Sequence, residues 1–179
     1  MEMRYVERLA DSELLGQLRE LLILGDREFI PPLSYRGSTT QQTLDGASGD
    51  GIDDYFAEMK TQCFVLALDG RRMAGFMSFR RDYSCPHIPE GPNLYASTSV
   101  VHPDYRGQGL MKAFYRTMLE TFPGRGVYTR TWHTNTPHLR VLEKLGFRLL
   151  ATLENHRGPG IHTVYFGRES LEKNPFHGC

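Results

Sequence analysis

Apolar positions along this chain repeat with two periods, and each change of period marks a new element. Leu14, Leu15, Leu18, Leu21 and Leu22 recur at spacings of three and four. So do Ile52, Tyr55, Phe56 and Met59, then Leu110, Ala113, Phe114, Thr117 and Met118, and later His138, Val141, Leu142 and Leu145. Each set draws one stripe down a helix. Between them lie apolar runs at 63–68, 73–79, 94–101, 127–132, 147–154 and 161–167, with an alternating stretch at 3–9. These read as strands. Along 94–101 a strict period of two puts Tyr95, Ser97, Ser99 and Val101 on one face, and Leu94, Ala96, Thr98 and Val100 on the other. The predicted order is β-α-α-β-β-β-α-β-α-β-β.

The polar punctuation agrees with these boundaries. Asp11 or Ser12 can cap the first helix and Gly25 can stop it. Asp69-Gly70 is a hairpin signal between two strands. The prolines within 82–92 require a loop there. A helix from about 108 to 122 ends at Pro123-Gly124-Arg125-Gly126, and the strand that follows it must return parallel, since a helical crossover separates the two. Thr136 can cap the last helix with Pro137 at its favoured first position, and Gly146 is a left-handed stop. Residues 31–51 stand apart: Pro31-Pro32 breaks any helix, and polar residues dominate afterwards, with a weak helical turn near Gln41. Such a loop is either a lid over a binding site or a mobile surface segment. Residues 1–168 are expected to form one domain, followed by a tail at 169–179.

Composition narrows the function. With 21 acidic and 21 basic residues the 179-residue chain carries no formal net charge, which argues against a dedicated nucleic-acid partner. No apolar run reaches the length of a membrane span, and the first 20 residues are too charged for a signal peptide. Cys63, Cys85 and Cys179 are odd in number, widely spaced and free of zinc-site spacing, so free thiols in a reducing cytoplasm and no metal are expected.

The most informative stretch is Val100-Val101-His102-Pro103-Asp104-Tyr105-Arg106-Gly107-Gln108-Gly109-Leu110-Met111. Strand, glycine turn and helix start together make an anion site, because the first N–H groups of a helix lack partners and glycine lets an anion approach. Arg106 adds a full charge. A nucleotide-triphosphate loop is excluded because Met111, not glycine, precedes Lys112. A dinucleotide fingerprint is excluded because Lys112 stands where its third glycine belongs. The segment Arg106-Gly107-Gln108-Gly109-Leu110-Met111, with Val-x-Pro before it, resembles the acyl-CoA-binding segment of the GNAT acetyltransferases. Met111 departs from the Gly or Ala usual there. Asn135-Thr136-Pro137-His138-Leu139-Arg140-Val141-Leu142-Glu143-Lys144-Leu145-Gly146-Phe147 is similar to the family's next strand-to-helix unit.

The resemblance implies an α/β fold with a mixed, mostly antiparallel sheet of about seven strands and helices on both faces. It implies acetyl-CoA as co-substrate and a small-molecule or peptide amine as acceptor, with the pantetheine arm lying where two strands diverge. Residues 31–51 would shape the acceptor pocket, and a homodimer is a family habit. Residues 106–111 (Arg106, Gly107, Gln108, Gly109, Leu110 and Met111) would hold the pyrophosphate, backbone N–H groups of Ser99, Val100 and Val101 would polarise the thioester carbonyl, and Asn135 would serve the pantetheine or cap a helix. Two usual residues are missing. No carboxylate occurs in 93–101, and Leu142 stands where the family places a tyrosine that protonates the thiolate. An amine of pKa about 10.4 must still lose a proton. Tyr95 is one candidate, or else a core aromatic; His133 is another, or else a turn histidine. His138 is read as a packing residue and His102 as solvated. Three outcomes stay open: an N-acetyltransferase, a non-catalytic acyl-CoA-binding module, or an acyltransferase for a longer acyl chain reshaped by Met111.

Overall fold

A computed structural model describes residues 1–45 and 51–170. Its strands are β1 (Glu2–Val6), β2 (Cys63–Asp69), β3 (Arg72–Arg81), β4 (Asn93–Val101), β5 (Gly126–Trp132), β6 (Arg148–Leu153) and β7 (Thr163–Arg168). Its helices are α1 (Ser12–Gly25), α2 (Ile52–Met59), α3 (Leu110–Thr121) and α4 (Thr136–Lys144). The strands form one seven-stranded sheet in the order β1-β2-β3-β4-β5-β7-β6. Every pairing is antiparallel except β4 with β5. The mixed sheet and the element order are those expected.

Two cores explain why the periods are as they are. Phe64, Leu66 and Leu68 of β2 pack under Leu18, Leu21 and Leu22 of α1 and Tyr55 and Met59 of α2. Val65 and Ala67, one step out of phase, pack on the other face against Phe114 and Met118 of α3 and Leu142 of α4. So β2 is apolar without alternation because helices cover both its faces. Burying each such Leu or Phe contributes about 1.5–3 kcal/mol. Among the described residues no helix is long and apolar enough to cross a membrane.

Local expectations shift in four places. α1 ends at Gly25, which takes right-handed rather than left-handed backbone, and its N-cap is Asp11, accepting from Leu14 N–H at 3.0 Å. The helical turn of the polar loop lies at Leu33–Tyr35 rather than near Gln41. That loop is packed over 31–45: Leu33, Arg36, Thr39 and Leu44 are all buried. Its end, 46–50, and most of the tail, 171–179, lie outside the described residues. Finally, the faces of β4 change halfway. Register with β3 slips between Ser78 and Phe79, so Ser97 bulges out of step. Leu94 and Ala96 therefore face α3, while Thr98 and Val100 face α1 and α2, where Thr98 Oγ1 lies 2.6 Å from Tyr55 Oη. Tyr95 does not share a face with Ser99.

Candidate functional site

β4 and β5 pair only from Asn93 with Gly126 to Ala96 with Thr129. There the Thr129 hydroxyl donates to the Ala96 carbonyl at 2.9 Å and closes the ladder. Beyond it β4 continues on β3 as far as Val101, while β5 continues on β7 as far as Trp132. The β5-facing backbone of 97–101 is thus left without a strand partner. The gap opens into a cleft of about 580 Å³, walled by β4, by Tyr115 of α3, and by His138 and Val141 of α4.

The glycine turn sits at its mouth. Gly107 and Gly109 both take left-handed backbone, with φ of 75° and 79°, and α3 begins only at Leu110, two residues later than its pattern indicates. Any side chain at those glycines would be strained by roughly 1–2 kcal/mol. No side chain caps the helix start, so its first N–H groups stay available to an anion. Arg106 donates from Nε to the Val101 carbonyl at 3.3 Å and from Nη2 to Glu28 at 2.6 Å. Arg106, Gly107, Gly109, Leu110 and Met111 line the cleft with Ser99, Val100 and Val101. Gln108 turns back to the Asp104 carbonyl and does not. The double left-handed turn, the uncapped helix and the open strand edge fit a thioester carrying a pyrophosphate.

The two catalytic candidates lie elsewhere. Tyr95 is 1 % exposed, packed with Ile88, Tyr128 and Tyr165, its ring tilted against that of Tyr83 at 4.5 Å. Burial pushes its pKa well up, and it does not line the cleft. His133 accepts the His162 backbone N–H at Nδ1 and lies with its ring tilted against that of His162 at 4.5 Å, away from the cleft. Its acceptor nitrogen is already used, so neither residue offers a base there. Asn135 does line the cleft. Its side chain donates to Thr131 Oγ1 at 3.0 Å and caps no helix; Asn135, not Thr136, is the residue that precedes α4.

Two groups escaped the sequence reading. Tyr115, fully buried, reaches the cleft with its hydroxyl 2.8 Å from His138 Nε2. Burial lowers His138 to about 4 and raises Tyr115, so both are neutral near pH 7. The signal was present: Tyr115 is four residues after Met111, one turn up the same helix face. The second group is Arg36, Arg130 and Arg157, on the cleft wall beside Trp132 and Phe29. Arg130 alternates with Tyr128 and Trp132, a period that places it opposite Thr129 and Thr131. Nothing local marks Arg36 or Arg157.

The family model described as "Acetyltransferase (GNAT) family" matches residues 33–147. No curated protein matches the sequence. Solved structures do match, on the fold. An aminoglycoside 6′-N-acetyltransferase complexed with coenzyme A is 16% identical, with a TM-score of 0.69 over 97% of this chain and 99% of that one. Arabidopsis thaliana NAA60, in complex with a bisubstrate analogue, is 17% identical with a TM-score of 0.64 over 93% and 97%. The Escherichia coli ribosomal-protein-S18-alanine N-acetyltransferase is 12% identical with a TM-score of 0.64 over 99% and 100%. The family match spans the polar loop, the splayed strands, the glycine turn and α4 through Phe147, which are the parts that build the cleft, and so this chain belongs to the GNAT acetyltransferase family.

Proposed function

We propose that this chain is an N-acetyltransferase that moves acetyl from acetyl-CoA to a primary amine of a small molecule or peptide, by direct attack in a ternary complex. The observation that carries the reading is the splay of β4 from β5 beside the uncapped, doubly left-handed start of α3. When bound, acetyl-CoA supplies the activated thioester. Arg106 and the N–H groups of 107–111 hold its pyrophosphate, Arg106 with the guanidinium N–H groups that Val101 and Glu28 leave open. The N–H groups among 99–101 that face the β5 side, left open by the splay, stabilise negative charge developing on the carbonyl oxygen. Asn135, fixed by Thr131, keeps its side-chain carbonyl for a pantetheine amide. Tyr115 gives a proton to the leaving thiolate in the role Leu142 cannot fill. Glu28 is the one carboxylate among the described cleft residues, and it is bonded to Arg106. The amine's proton therefore leaves to water, helped by nearby guanidinium charge, which lowers an ammonium pKa. A cytoplasmic homodimer belongs to the same reading, with β6, an edge strand among the described residues, and its exposed Leu149 and Leu150 as the contact.

Thermal shift with acetyl-CoA, CoA, ATP and NAD tests this. Ligand at about a hundred times its Kd stabilises by roughly 2.7 kcal/mol, which for a chain of this size is several degrees at roughly 2–4 °C per kcal/mol. Acetyl-CoA and CoA alone should shift the protein, and Arg106→Ala should remove most of the shift. A CoA shift without thiol release from any amine would leave a non-catalytic module. A larger shift with longer acyl-CoAs would move the donor away from acetyl. No shift with either CoA species overturns the reading.

A further inference from the structure

Three guanidinium groups meet on the cleft wall on the α1 and α2 side of the sheet. Arg36 and Arg157 are each only 6 % exposed, and Arg130 is half-buried. They converge from separate parts of the chain: the packed loop, β5, and the turn between β6 and β7. Arg36 lies over the Phe29 ring at 5.6 Å and Arg157 over Trp132 at 5.7 Å, and those two rings meet at 6.0 Å.

Their bonds go to neutral groups. Arg36 donates twice to the Pro31 carbonyl. Arg130 donates to the Gln41 carbonyl and the Tyr165 hydroxyl. Arg157 donates to the Ile30 carbonyl and the Thr163 hydroxyl. Among the described residues none of the three has an ion pair with a carboxylate. Asp26, which acts on Arg36 through space, accepts from Ser34 N–H and hydroxyl, and Glu28 on the cleft wall holds Arg106. Buried guanidinium groups normally have an anionic partner, because taking them from water is costly without one. Burial and mutual repulsion depress Arg157 to about 9 and burial depresses Arg36 to about 10, so both remain charged at neutral pH.

We propose that Arg36, Arg130 and Arg157 form an oxyanion-recognition pocket for the acceptor, which is a small primary amine carrying a carboxylate or phosphate. This rests on the N-acetyltransferase reading and names its substrate class. The guanidinium groups bind the oxyanion in the fork geometry they favour, and the amine projects into the gap between β4 and β5. A polycationic acceptor such as an aminoglycoside would meet like charge. The arginines also tie the loop to the sheet through carbonyls, so the test must read more than stability.

Matched acceptors provide it. Free L-amino acids are compared with their carboxamides, and phosphoethanolamine with ethanolamine, by thiol release from acetyl-CoA with the product confirmed by mass. The same compounds are tested by thermal shift, with and without saturating CoA. At least one oxyanion-bearing amine should exceed its neutral counterpart by about tenfold or more in kcat/KM, and should stabilise the protein where the counterpart does not. Which of the two sets responds tells carboxylate from phosphate. Arg157→Gln and, should it fold poorly, the half-buried Arg130→Gln should erase that preference while the CoA shift stays. Arg157→Lys should retain part of it. Equal or better use of the neutral amines or of polyamines overturns the proposal, as does an absence of oxyanion-dependent stabilisation when CoA binds. Failure of the underlying reading looks different: CoA itself then gives no shift, and the oxyanion arm without CoA still reports on the pocket.

Discussion

The Tyr115 hydroxyl shares the cleft with the open edge of β4 and rests 2.8 Å from His138 Nε2. His138 is held neutral by burial. With its proton on Nε2, it donates to the phenol oxygen and leaves the phenol proton free to point into the cleft. Burial also keeps Tyr115 protonated, so the proton is present when a thiolate forms. Tyr115→Phe keeps the ring that packs against Phe147 at 5.1 Å and removes only the proton donor. General acid groups contribute typically about 10²–10⁴-fold, and departure of a stabilised thiolate draws on the low end. Steady-state kinetics should therefore show kcat down by about tenfold to a hundredfold, with the CoA thermal shift unchanged. An unaltered kcat would mean that water protonates the thiolate and that Tyr115 is a packing residue.

Elements tolerate less than their regularity suggests where β3 passes β4. A Cβ on Gly75 would lie 2.7 Å from the Val100 carbonyl oxygen and 3.3 Å from the Phe114 ring. The first neighbour is backbone and cannot rotate away. Gly75→Ala should cost about 1–3 kcal/mol by overpacking, seen as a Tm lowered by roughly 2–4 °C per kcal/mol. Because Val100 borders the cleft, CoA affinity should fall with it; an unchanged Tm would show that β3 can slide freely on β4. The same pair of strands marks the limit of what the sequence discloses. The four helical stripes and the glycine turn are legible, since a 3.6 period and two glycines one residue apart are local facts. The bulge at Ser97 is not, because it depends on how β3 aligns with β4, and so the faces of Thr98 and Val100 are misread from period alone. The packing of the loop over 31–45 is hidden from the sequence for a similar reason. Its polar groups are satisfied far away, Thr39 by Glu58 and Gln62 and the Gln41 carbonyl by Arg130. His133 looks free until its partner His162 arrives from another strand.

Across the whole molecule, zero net charge conceals an uneven distribution. Arg36, Arg106, Lys112, Arg130 and Arg157 line the cleft against Glu28 alone among the described residues. That field suits the two anions of the proposed reaction, one at each end, and would keep an attacking amine neutral between them. The uncharged His138 belongs to this balance, and its titration is visible in global stability. In the folded chain its pKa is lowered to about 4, against an ordinary value of about 6.5. Between those values the unfolded chain binds a proton that the folded chain refuses. The stability is therefore complete above pH 6.5 and is lost as pH falls toward 4. His156, lowered by burial as well, adds slope of the same sign; Arg36 and Arg157 stay charged throughout and add none. His138 is half-buried, its edge open to the cleft, so the loss is on the order of 1–3 kcal/mol rather than the full value of its shift. Thermal melts between pH 7 and 4.5 should show His138→Asn falling less steeply than the native chain, with His156 and, at the acid end, Glu2 contributing to the slope that remains. Parallel curves would mean that the folded protein accepts a proton at His138. A charged imidazolium would then sit in an already cationic cleft and hold its Nε2 proton toward Tyr115, and the proton for the thiolate would come from that pair jointly rather than from the phenol alone.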